Sequence, residues 1–459
     1  MIVGNGRYHF IGIGGSGMSA LATVMLAGGA RISGSDLRST EEAEALKRAG
    51  VPVTFGHDEA NIGDGLDGVI VSSAVATDNV EVQSAMKRRV PVVRRLHALG
   101  GVWRAGRSLG VTGTHGKTTT SAMLATILRQ AGKDPSFVIG ARCPHLGGNA
   151  HLGRGDLFVA EVDESDGVIV DLSADVAVVT NIGCDHLATY GSIDGVARGF
   201  SRFLERCGQA VLNVDDQRVA DLADRFPKRI TVGTNIDADV RATSIIQREF
   251  DTWFDLWIRG KRCGRVRLSA PGVHNVRNAL CAAGGAVAAE MSPEQIVEGL
   301  EAFRRPQRRF QLLEQNGVIV VDDYAHLPEE VSATLDAIRS GWPSRRVVAV
   351  FQPHRYSRTA WMGDAIGAAF HRADIVVVAP IYAAGEDPIP GVTTQCVVDA
   401  IRRETNAETY SMDCADEIVP FLETKIRRGD FLISFGAGDI SRVTEQLSAD
   451  LEEARFCAA

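Results

Sequence analysis

Short apolar runs bounded by turn residues alternate with helical patterns along nearly the whole of this 459-residue chain. This alternation is typical of parallel β-sheets, in which a helix joins each strand to the next. A chain of this length usually forms about three domains of roughly 100–200 residues each. We therefore predict an α/β fold with three domains that cover residues 1–106, 107–305 and 306–459.

The alternation is interrupted between residues 239 and 269, where β-rich runs follow one another without helices. The runs 250–258 and 265–268 are examples. Consecutive strands without a helical crossover favour antiparallel pairing. We therefore predict that the central domain has a mixed sheet, with an antiparallel extension to its parallel part.

The first glycine cluster, Gly12-x-Gly14-x-x-Gly17, lies between a predicted strand and a predicted helix, and Asp36 ends the next strand. Glycine allows a tight turn and close approach of the backbone, and the helix N-terminus beyond offers its amides to a diphosphate. This pattern binds NAD in dehydrogenases, suits other diphosphate-bridged ligands such as a UDP-sugar, or forms only a tight turn. The cluster alone leaves these interpretations open.

The second glycine cluster, GTHGKTTT (113–120), follows a strand and precedes an apolar helix. This arrangement predicts a phosphate-binding loop whose backbone amides surround phosphate oxygens. Lys117 would place a positive charge near the terminal phosphates, and the Thr118 hydroxyl would be a magnesium ligand. Only two residues separate Gly113 from Gly116, so the spacing differs from the common GxxxxGK[ST] pattern.

Two further strand ends in this block carry candidate ligands. Glu161 follows the apolar run 157–160, and the segment that contains His186 follows the run 176–179. The carboxyl ends of parallel strands meet at one edge of a sheet, where ligands bind. Magnesium prefers carboxylate and water oxygens, so Glu161 is the stronger candidate ligand and His186 the weaker one. Taken singly, each residue is equally compatible with a solvated loop.

The last block has histidine and arginine residues after two successive strands, in the segments 322–328 and 353–359. The planar guanidinium of arginine suits a carboxylate, because it donates two parallel hydrogen bonds. These residues therefore predict a carboxylate-binding site, with a surface cluster of ion pairs as the alternative.

Charge and composition exclude several classes of partner. The 49 basic and 57 acidic residues give a net charge of -8, which disfavours nucleic acid. The eight cysteines have no CxxC spacing, so neither a disulfide framework nor a cysteine metal site is expected. Glycines interrupt the uncharged run 8–30, so we expect neither a secretion signal nor a membrane span, and predict a cytoplasmic protein.

Seven segments, taken together and in order, resemble the Mur ligase family. They are GTHGKTTT (113–120), EVDESD (161–166), TNIxxDH (180–186), HNVRNAL (274–280), RRFQ (308–311), DDYAH (322–326) and PHRYSRT (353–359). Within the family, GIGGSGMS (12–19), VSSA (71–74) and AGE (384–386) are most similar to the members that add L-alanine.

The resemblance implies a Rossmann-like N-terminal domain for a UDP-sugar, a central P-loop ATPase domain and a Rossmann-like C-terminal domain. It also implies the substrates UDP-N-acetylmuramate and L-alanine, the cofactors ATP and Mg²⁺, and a role in peptidoglycan precursor synthesis. ATP would phosphorylate the lactyl carboxylate, and the amine of alanine would attack the resulting acyl phosphate. Neither the sequence nor the resemblance predicts the oligomeric state.

The resemblance further implies roles for individual residues. Lys117, His326 and His354 would be catalytic, and Thr118, Glu161 and His186 would bind Mg²⁺. The residues that would bind ATP are Gly113, Thr114, Gly116, Lys117, Thr118, Thr119, Asn278 and Asp323. The residues that would bind the UDP-sugar or the amino acid are Gly14, Gly15, Ser16, Gly17, Asp36, Ser73, Arg355 and Arg358.

Leu327 departs from the family pattern, because the alanine-adding members usually have a second histidine there. The change replaces a polar group with an apolar one beside the proposed site, so we expect it to affect proton transfer or amino-acid choice. Two alternatives therefore stay open: a murein peptide ligase that attaches a peptide to the same UDP-sugar, and a non-catalytic paralogue that binds it. A dehydrogenase would leave the phosphate loop unexplained.

Overall fold

The computed structural model describes residues 5–165, 167–314 and 317–456. These residues form three β-sheets with associated helices, which confirms the predicted α/β fold. Contacts divide the chain into two compact units. The first unit comprises residues 1–245, 253–268 and 275–304, and the second comprises 246–252, 269–274 and 305–459. The first unit holds the N-terminal sheet and most of the central sheet, and the three domain boundaries stay a prediction.

The N-terminal sheet is parallel and carries the first glycine cluster. Its strands are β1 (Arg7–Ile11), β2 (Arg31–Asp36), β3 (Val53–Phe55), β4 (Gly68–Val71) and β5 (Val92–Arg94). Its helices are α1 (Ser16–Ala27), α2 (Glu41–Arg48), α3 (Val80–Lys87) and α4 (Arg95–Val102). The strand order β3-β2-β1-β4-β5 has its switch point between β1 and β4. Ligands bind beyond the carboxyl ends of strands at such a point.

The central sheet has ten strands and is mixed, as predicted. Its strands are β6 (Arg107–Thr112), β7 (Ser136–Cys143), β8 (Gly148–His151), β9 (Leu157–Glu161), β10 (Val176–Val179), β11 (Gln209–Asn213), β12 (Arg229–Gly233), β13 (Val240–Arg248), β14 (Asp251–Ile258) and β15 (Lys261–Leu268). The order is β15-β14-β13-β12-β11-β10-β6-β9-β7-β8, and β6 pairs parallel with both β10 and β9. The two-residue connections that join β13, β14 and β15 suit antiparallel neighbours.

The helices of the central region include the two that border the phosphate loop. They are α5 (Lys117–Gln130), α6 (Leu187–Tyr190), α7 (Ile193–Leu204), α8 (Gln217–Ala223), α9 (Val273–Ala288) and α10 (Pro293–Ala302). Buried side chains of the N-terminal and central sheets, among them Phe10 and Phe158, belong to one hydrophobic cluster. This shared core explains why both sheets lie within one compact unit.

The C-terminal sheet has six strands in the order β16-β17-β21-β18-β19-β20. They are β16 (Gln311–Glu314), β17 (Ile319–Asp323), β18 (Val347–Phe351), β19 (Ile375–Val378), β20 (Glu408–Ser411) and β21 (Phe431–Phe435). Its helices are α11 (Pro328–Gly341), α12 (Tyr356–Ala368), α13 (Thr394–Glu404), α14 (Ile418–Lys425) and α15 (Ser441–Phe456). β16 pairs antiparallel with β17, and the other described pairings of this sheet are parallel.

Within the described ranges, none of the helices combines the length and the apolar character that a membrane span needs.

Candidate active site

The phosphate loop joins the end of β6 to the start of α5, and its two glycines have conformations that favour glycine. Gly113 has a φ of 134° and Gly116 a φ of 81°. A Cβ on Gly113 would lie 2.0 Å from Thr180 Oγ1, and one on Gly116 would lie 2.2 Å from Asn278 Oδ1. Both positions therefore need glycine because neighbouring atoms occupy the space of a side chain.

Residues that follow β10 hold the loop in place. Asn181 Oδ1 accepts a hydrogen bond from His115 N at 2.8 Å, while Asn181 Nδ2 and Thr180 Oγ1 donate to His115 O at 3.0 and 2.6 Å. Thr114 Oγ1 accepts from Gly183 N at 2.7 Å. The loop shape is thus fixed before any ligand binds, and the N-terminal amides of the 14-residue helix α5 follow it.

Lys117 is the first residue of α5 and forms a buried ion pair with Glu164. Its Nζ donates to Glu164 Oε2 at 2.8 Å and to the carbonyl of Gly113 at 2.7 Å. The two side chains are 13% and 2% exposed. Burial alone would lower the pKa of Lys117, but the Glu164 carboxylate raises it above its ordinary value. The ammonium therefore stays charged beside the loop.

The predicted magnesium ligands lie near this pair, but in two groups. Thr118 Oγ1 donates to Glu161 Oε1 at 3.0 Å, and Glu161 Oε2 accepts from Gly140 N. His186 Nε2 lies 3.8 Å from Glu164 Oε1. Ligand atoms of Asp163, Glu164 and His186 all lie within 4.8 Å of one another. The predicted ligands therefore lie together at the carboxyl ends of the central strands. The carboxylates of Asp163 and Glu164, which sequence reasoning did not select, lie there too.

Asn278 lies on α9 and faces the phosphate loop. Asn278 Oδ1 lies 2.2 Å from the position that a Cβ on Gly116 would take. Asn278 Nδ2 donates a hydrogen bond to Asn275 Oδ1 at 3.3 Å. The predicted adenine-binding residue is thus next to the predicted phosphate-binding residues, and its contact with adenine stays a prediction.

The first glycine cluster forms the turn between β1 and α1. Gly12 N donates to the carbonyl of Ser35 at 2.8 Å, and Gly14 N donates to Asp36 Oδ2 at 2.8 Å. A Cβ on Gly14 would lie 2.6 Å from Thr40 Oγ1, so a side chain does not fit there. Asp36 therefore positions the turn itself, and its contact with a ligand stays a prediction.

Ser16 and Ser73 follow the carboxyl ends of the neighbouring strands β1 and β4. Ser16 begins α1, and its carbonyl accepts a hydrogen bond from Asn149 Nδ2 of the central sheet at 2.9 Å. Ser73 is exposed and follows β4. The predicted UDP-sugar residues, Gly14, Gly15, Ser16, Gly17, Asp36 and Ser73, thus lie where the switch point of the N-terminal sheet predicts a ligand.

The second unit gathers the predicted histidine and arginine residues at the ends of β17 and β18. The rings of His326 and His354 have centroids 5.7 Å apart, and Arg358 Nη1 lies 3.0 Å from His354 Nδ1. Tyr382 stacks on His354 at 5.5 Å between centroids. Arg355 has a φ of 72°, a conformation that is strained for a residue with a side chain.

Glu386 holds the start of the helix that carries Arg358. Its carboxylate accepts hydrogen bonds from Ser357 N at 2.9 Å and Ser357 Oγ at 2.7 Å, and it lies 4.0 Å from Arg355 Nη1. Burial opposes ionisation of Glu386, but the hydrogen bonds from Ser357 and the two nearby cations, Arg355 and Arg358, hold its pKa below the ordinary value. Glu386 therefore stays ionised beside the two predicted arginines.

The side chains of Asp323 and Leu327 make contacts within the C-terminal sheet region. Asp323 accepts from Phe310 N at 2.7 Å and Ala325 N at 2.8 Å, and burial raises its pKa to about 6. Leu327 is 1% exposed and belongs to the hydrophobic core of the sheet. The departure from the family pattern therefore lies in the core, and the Leu327 side chain does not face the histidine cluster.

Sequence reasoning missed Arg95, Asp163, Glu164 and Tyr382. Asp163 and Glu164 lie in a motif that had been recognised, but the motif did not show which of its carboxylates would reach Lys117. Arg95 and Tyr382 have no motif of their own. Their positions follow from strand order, which places distant segments side by side.

Three family models together match almost the whole chain. They are described as "Mur ligase family, catalytic domain" for residues 7–107, "Mur ligase middle domain" for residues 111–286 and "Mur ligase, glutamate ligase domain" for residues 308–438. The middle-domain match contains the phosphate loop, Glu161, His186 and Asn278.

Individual proteins are similar over the same length. The UDP-N-acetylmuramate–L-alanine ligase of Geobacter sp. strain M21 is 43% identical over 454 residues, which are 98% of each chain. The crystal structure of the UDP-N-acetylmuramate–alanine ligase from Thermotoga maritima has a TM-score of 0.85 and 28% identity, covering 98% of this chain and 100% of that one. A murein peptide ligase from Psychrobacter arcticus has a TM-score of 0.72 and 23% identity, covering 97% and 98%, which is a likeness of fold.

We predict that Lys117→Met destabilises the protein by about 3–5 kcal/mol, because it leaves the Glu164 carboxylate buried without its ammonium. Burial raises the pKa of Glu164 from 4.5 to about 7 even beside Lys117, and loss of the ammonium should raise this pKa further. Both proteins therefore lose stability as pH rises from about 4.5 to 7, and above about 7 the variant should continue to lose stability relative to the wild type. Urea unfolding at several pH values measures both effects.

The matched control is the double variant Lys117→Met/Glu164→Gln, which removes both charges. It should recover most of the lost stability and show a weaker pH dependence than the single variant. Equal losses in the two variants would contradict the buried ion pair.

We also predict that Leu327→His, which restores the family pattern, destabilises the protein by about 2–5 kcal/mol. The change removes a buried leucine from the core and buries a polar ring there. Leu327→Met, which keeps the volume and apolar character, should cost less than about 1.5 kcal/mol. Thermal unfolding compares the two, and a histidine tolerated as well as methionine would mean that this side chain leaves the core.

Proposed function

The chain belongs to the Mur ligase family of ATP-dependent ligases, and we propose that it joins L-alanine to the lactyl carboxylate of UDP-N-acetylmuramate. This reaction would serve peptidoglycan precursor synthesis. The proposal rests chiefly on one combination: a pre-formed phosphate loop with its buried lysine, in a chain that is 43% identical over nearly its full length to an enzyme named for this reaction.

The proposed reaction has two steps. A carboxylate oxygen of the sugar substrate attacks the terminal phosphorus of ATP, so that ADP leaves and an acyl phosphate forms. The amine of alanine then attacks the acyl carbon, an amide bond forms, and phosphate leaves while the amine loses a proton. Catalysis of such a reaction depends mainly on positioning the reactants and stabilising the transferred charge.

In the first unit, the loop amides and Lys117 would bind the terminal phosphates of ATP, and Asn278 would contact adenine. Thr118, Glu161 and His186 would bind Mg²⁺. The donor set fits this ion, because the Thr118 hydroxyl and the Glu161 carboxylate are hard oxygen ligands that lie together at 3.0 Å. When bound, Mg²⁺ neutralises negative charge on the phosphates during transfer.

The turn at the start of α1 would bind the diphosphate of the UDP-sugar through its backbone amides, since anions favour the N-terminus of a helix. The 12-residue length of α1 is enough for this effect, and its first turn carries no acidic residue. The diphosphate of a UDP-sugar is a suitable ligand for this turn, and ATP is a suitable ligand for the phosphate loop. Both glycine clusters are therefore explained without binding of NAD.

In the second unit, Arg358 and Arg355 would bind the carboxylate of L-alanine, and His326 and His354 would lie beside them. A guanidinium can bind a carboxylate through two parallel hydrogen bonds, which also fixes the direction of the amine. Asp323 accepts hydrogen bonds from Phe310 N and Ala325 N and would thereby hold the segment that carries His326.

The test is phosphate release from ATP with Mg²⁺ and UDP-N-acetylmuramate, comparing L-alanine, glycine, L-serine, the murein tripeptide and no acceptor. We expect release that depends on L-alanine. Release that depends only on the tripeptide would identify a murein peptide ligase instead. Binding of the UDP-sugar without release for any acceptor would identify a non-catalytic paralogue.

Arg358→Ala should raise the KM for L-alanine about 10-fold or more and leave the KM for ATP nearly unchanged. The variant removes a charge-assisted hydrogen bond to the carboxylate, worth about 1.5–3 kcal/mol. Arg442→Ala is the matched control, because it removes the same charge from an exposed position on another helix of the same unit. A change confined to ATP would contradict the assignment of Arg358.

A further inference from the structure

Arg95 lies between the two glycine loops of the first unit. It begins α4, directly after β5. Its Nη1 is 2.8 Å from the position that a Cβ on Gly17 would take, in the first turn of α1. Its Nη2 lies 3.4 Å from Asp163 Oδ2, and the Arg95 side chain is 16% exposed. The guanidinium thus reaches from the proposed diphosphate site to the acidic segment beside the phosphate loop.

Asp163 connects this guanidinium to the catalytic end of the central sheet. Its carboxylate lies within 4.8 Å of ligand atoms of Glu164 and His186, and Glu164 is the partner of Lys117. A substrate that extends from the start of α1 towards Lys117 would pass the Arg95 guanidinium. No other part of the proposed mechanism assigns a role to this cation.

The proposed sugar substrate has two anionic groups with different requirements. Its diphosphate suits the backbone amides of the turn at the start of α1. Its carboxylate has to approach the terminal phosphate of ATP near Lys117, where the negative charges of the two reactants repel each other. A positive group on the line between the two loops would offset that repulsion and orient the attacking oxygen.

The contact with Asp163 shows that the Arg95 guanidinium can bind a carboxylate at this position. A carboxylate already lies against one of its five N–H donors, in the geometry of a single hydrogen bond. This hydrogen bond is long, at 3.4 Å, and uses only one of the donors, so the ion pair can be exchanged. A substrate carboxylate can therefore replace Asp163 without a large energetic cost.

We propose that Arg95 binds the carboxylate of the sugar substrate and positions it for phosphoryl transfer, with Asp163 as its partner while the substrate is absent. This inference rests on the proposed function and specifies the part of that site that holds the reacting group. It assigns a substrate-binding residue outside every sequence motif discussed above.

Calorimetric titration of the full-length protein tests this assignment without turnover. Two ligands are compared: UDP-N-acetylmuramate, and UDP-N-acetylglucosamine, which has the same diphosphate but lacks the lactyl carboxylate. Arg95→Ala should weaken the binding of UDP-N-acetylmuramate at least about 10-fold and that of UDP-N-acetylglucosamine less than about 2-fold. Arg95→Lys should recover only part of the loss, because an ammonium has no planar fork.

Arg31→Ala is the matched control, since it removes the same charge at the opposite, amino-terminal end of β2 and should change neither affinity. Equal weakening of both ligands by Arg95→Ala would overturn the inference in favour of a diphosphate contact or a structural role. Unchanged binding of both ligands would overturn it too. If the wild type fails to bind UDP-N-acetylmuramate, the proposed function fails, and this inference fails with it.

Discussion

The phosphate loop is held by contacts so close that two of its positions leave no room for a side chain. Thr180 closes one side at Gly113, and Asn278 closes the other at Gly116. The loop leads directly into α5, so its shape fixes the position of Lys117, the first residue of that helix. At this position the ammonium of Lys117 forms an ion pair with the Glu164 carboxylate. The geometry of the neighbouring ligands, Thr118 with Glu161, follows from the same rigid turn. Such a pre-formed site spends little free energy on reorganisation when a nucleotide binds.

Both glycine loops of the first unit meet the same physical requirement in different ways. Each follows a strand at a point where the strand order changes direction, and each leads into a helix whose N-terminus favours anions. The first loop is positioned by a carboxylate, Asp36, that accepts from Gly14 N. The second loop is followed by the positively charged Lys117, which suits the higher negative charge of the terminal phosphates of ATP. The shared hydrophobic core of the two sheets fixes the distance that a bridging substrate has to span.

The sequence allowed prediction of most features that depend on local order along the chain. Apolar runs followed by glycine, acidic or histidine residues predicted four strand ends of the site, and the corresponding strands β6, β9, β17 and β18 end at Thr112, Glu161, Asp323 and Phe351. Short strands such as β3 and β8 carry too few apolar residues to be distinguished from loops. Arg95 could not be selected, because its proximity to Asp163 depends on the packing of two sheets. Leu327 appeared to lie in the site because it is next to His326 in the sequence, yet its side chain turns into the core.

The central claim is that ATP activates the sugar carboxylate as an acyl phosphate. Its most direct test uses UDP-N-acetylmuramate with both lactyl carboxylate oxygens labelled with ¹⁸O, incubated with ATP, Mg²⁺ and L-alanine. The account predicts one labelled oxygen in the released phosphate and one in the new amide, measured by mass spectrometry. Amide formation with unlabelled phosphate would contradict the account, since the carboxylate oxygen would then never have been bonded to phosphorus.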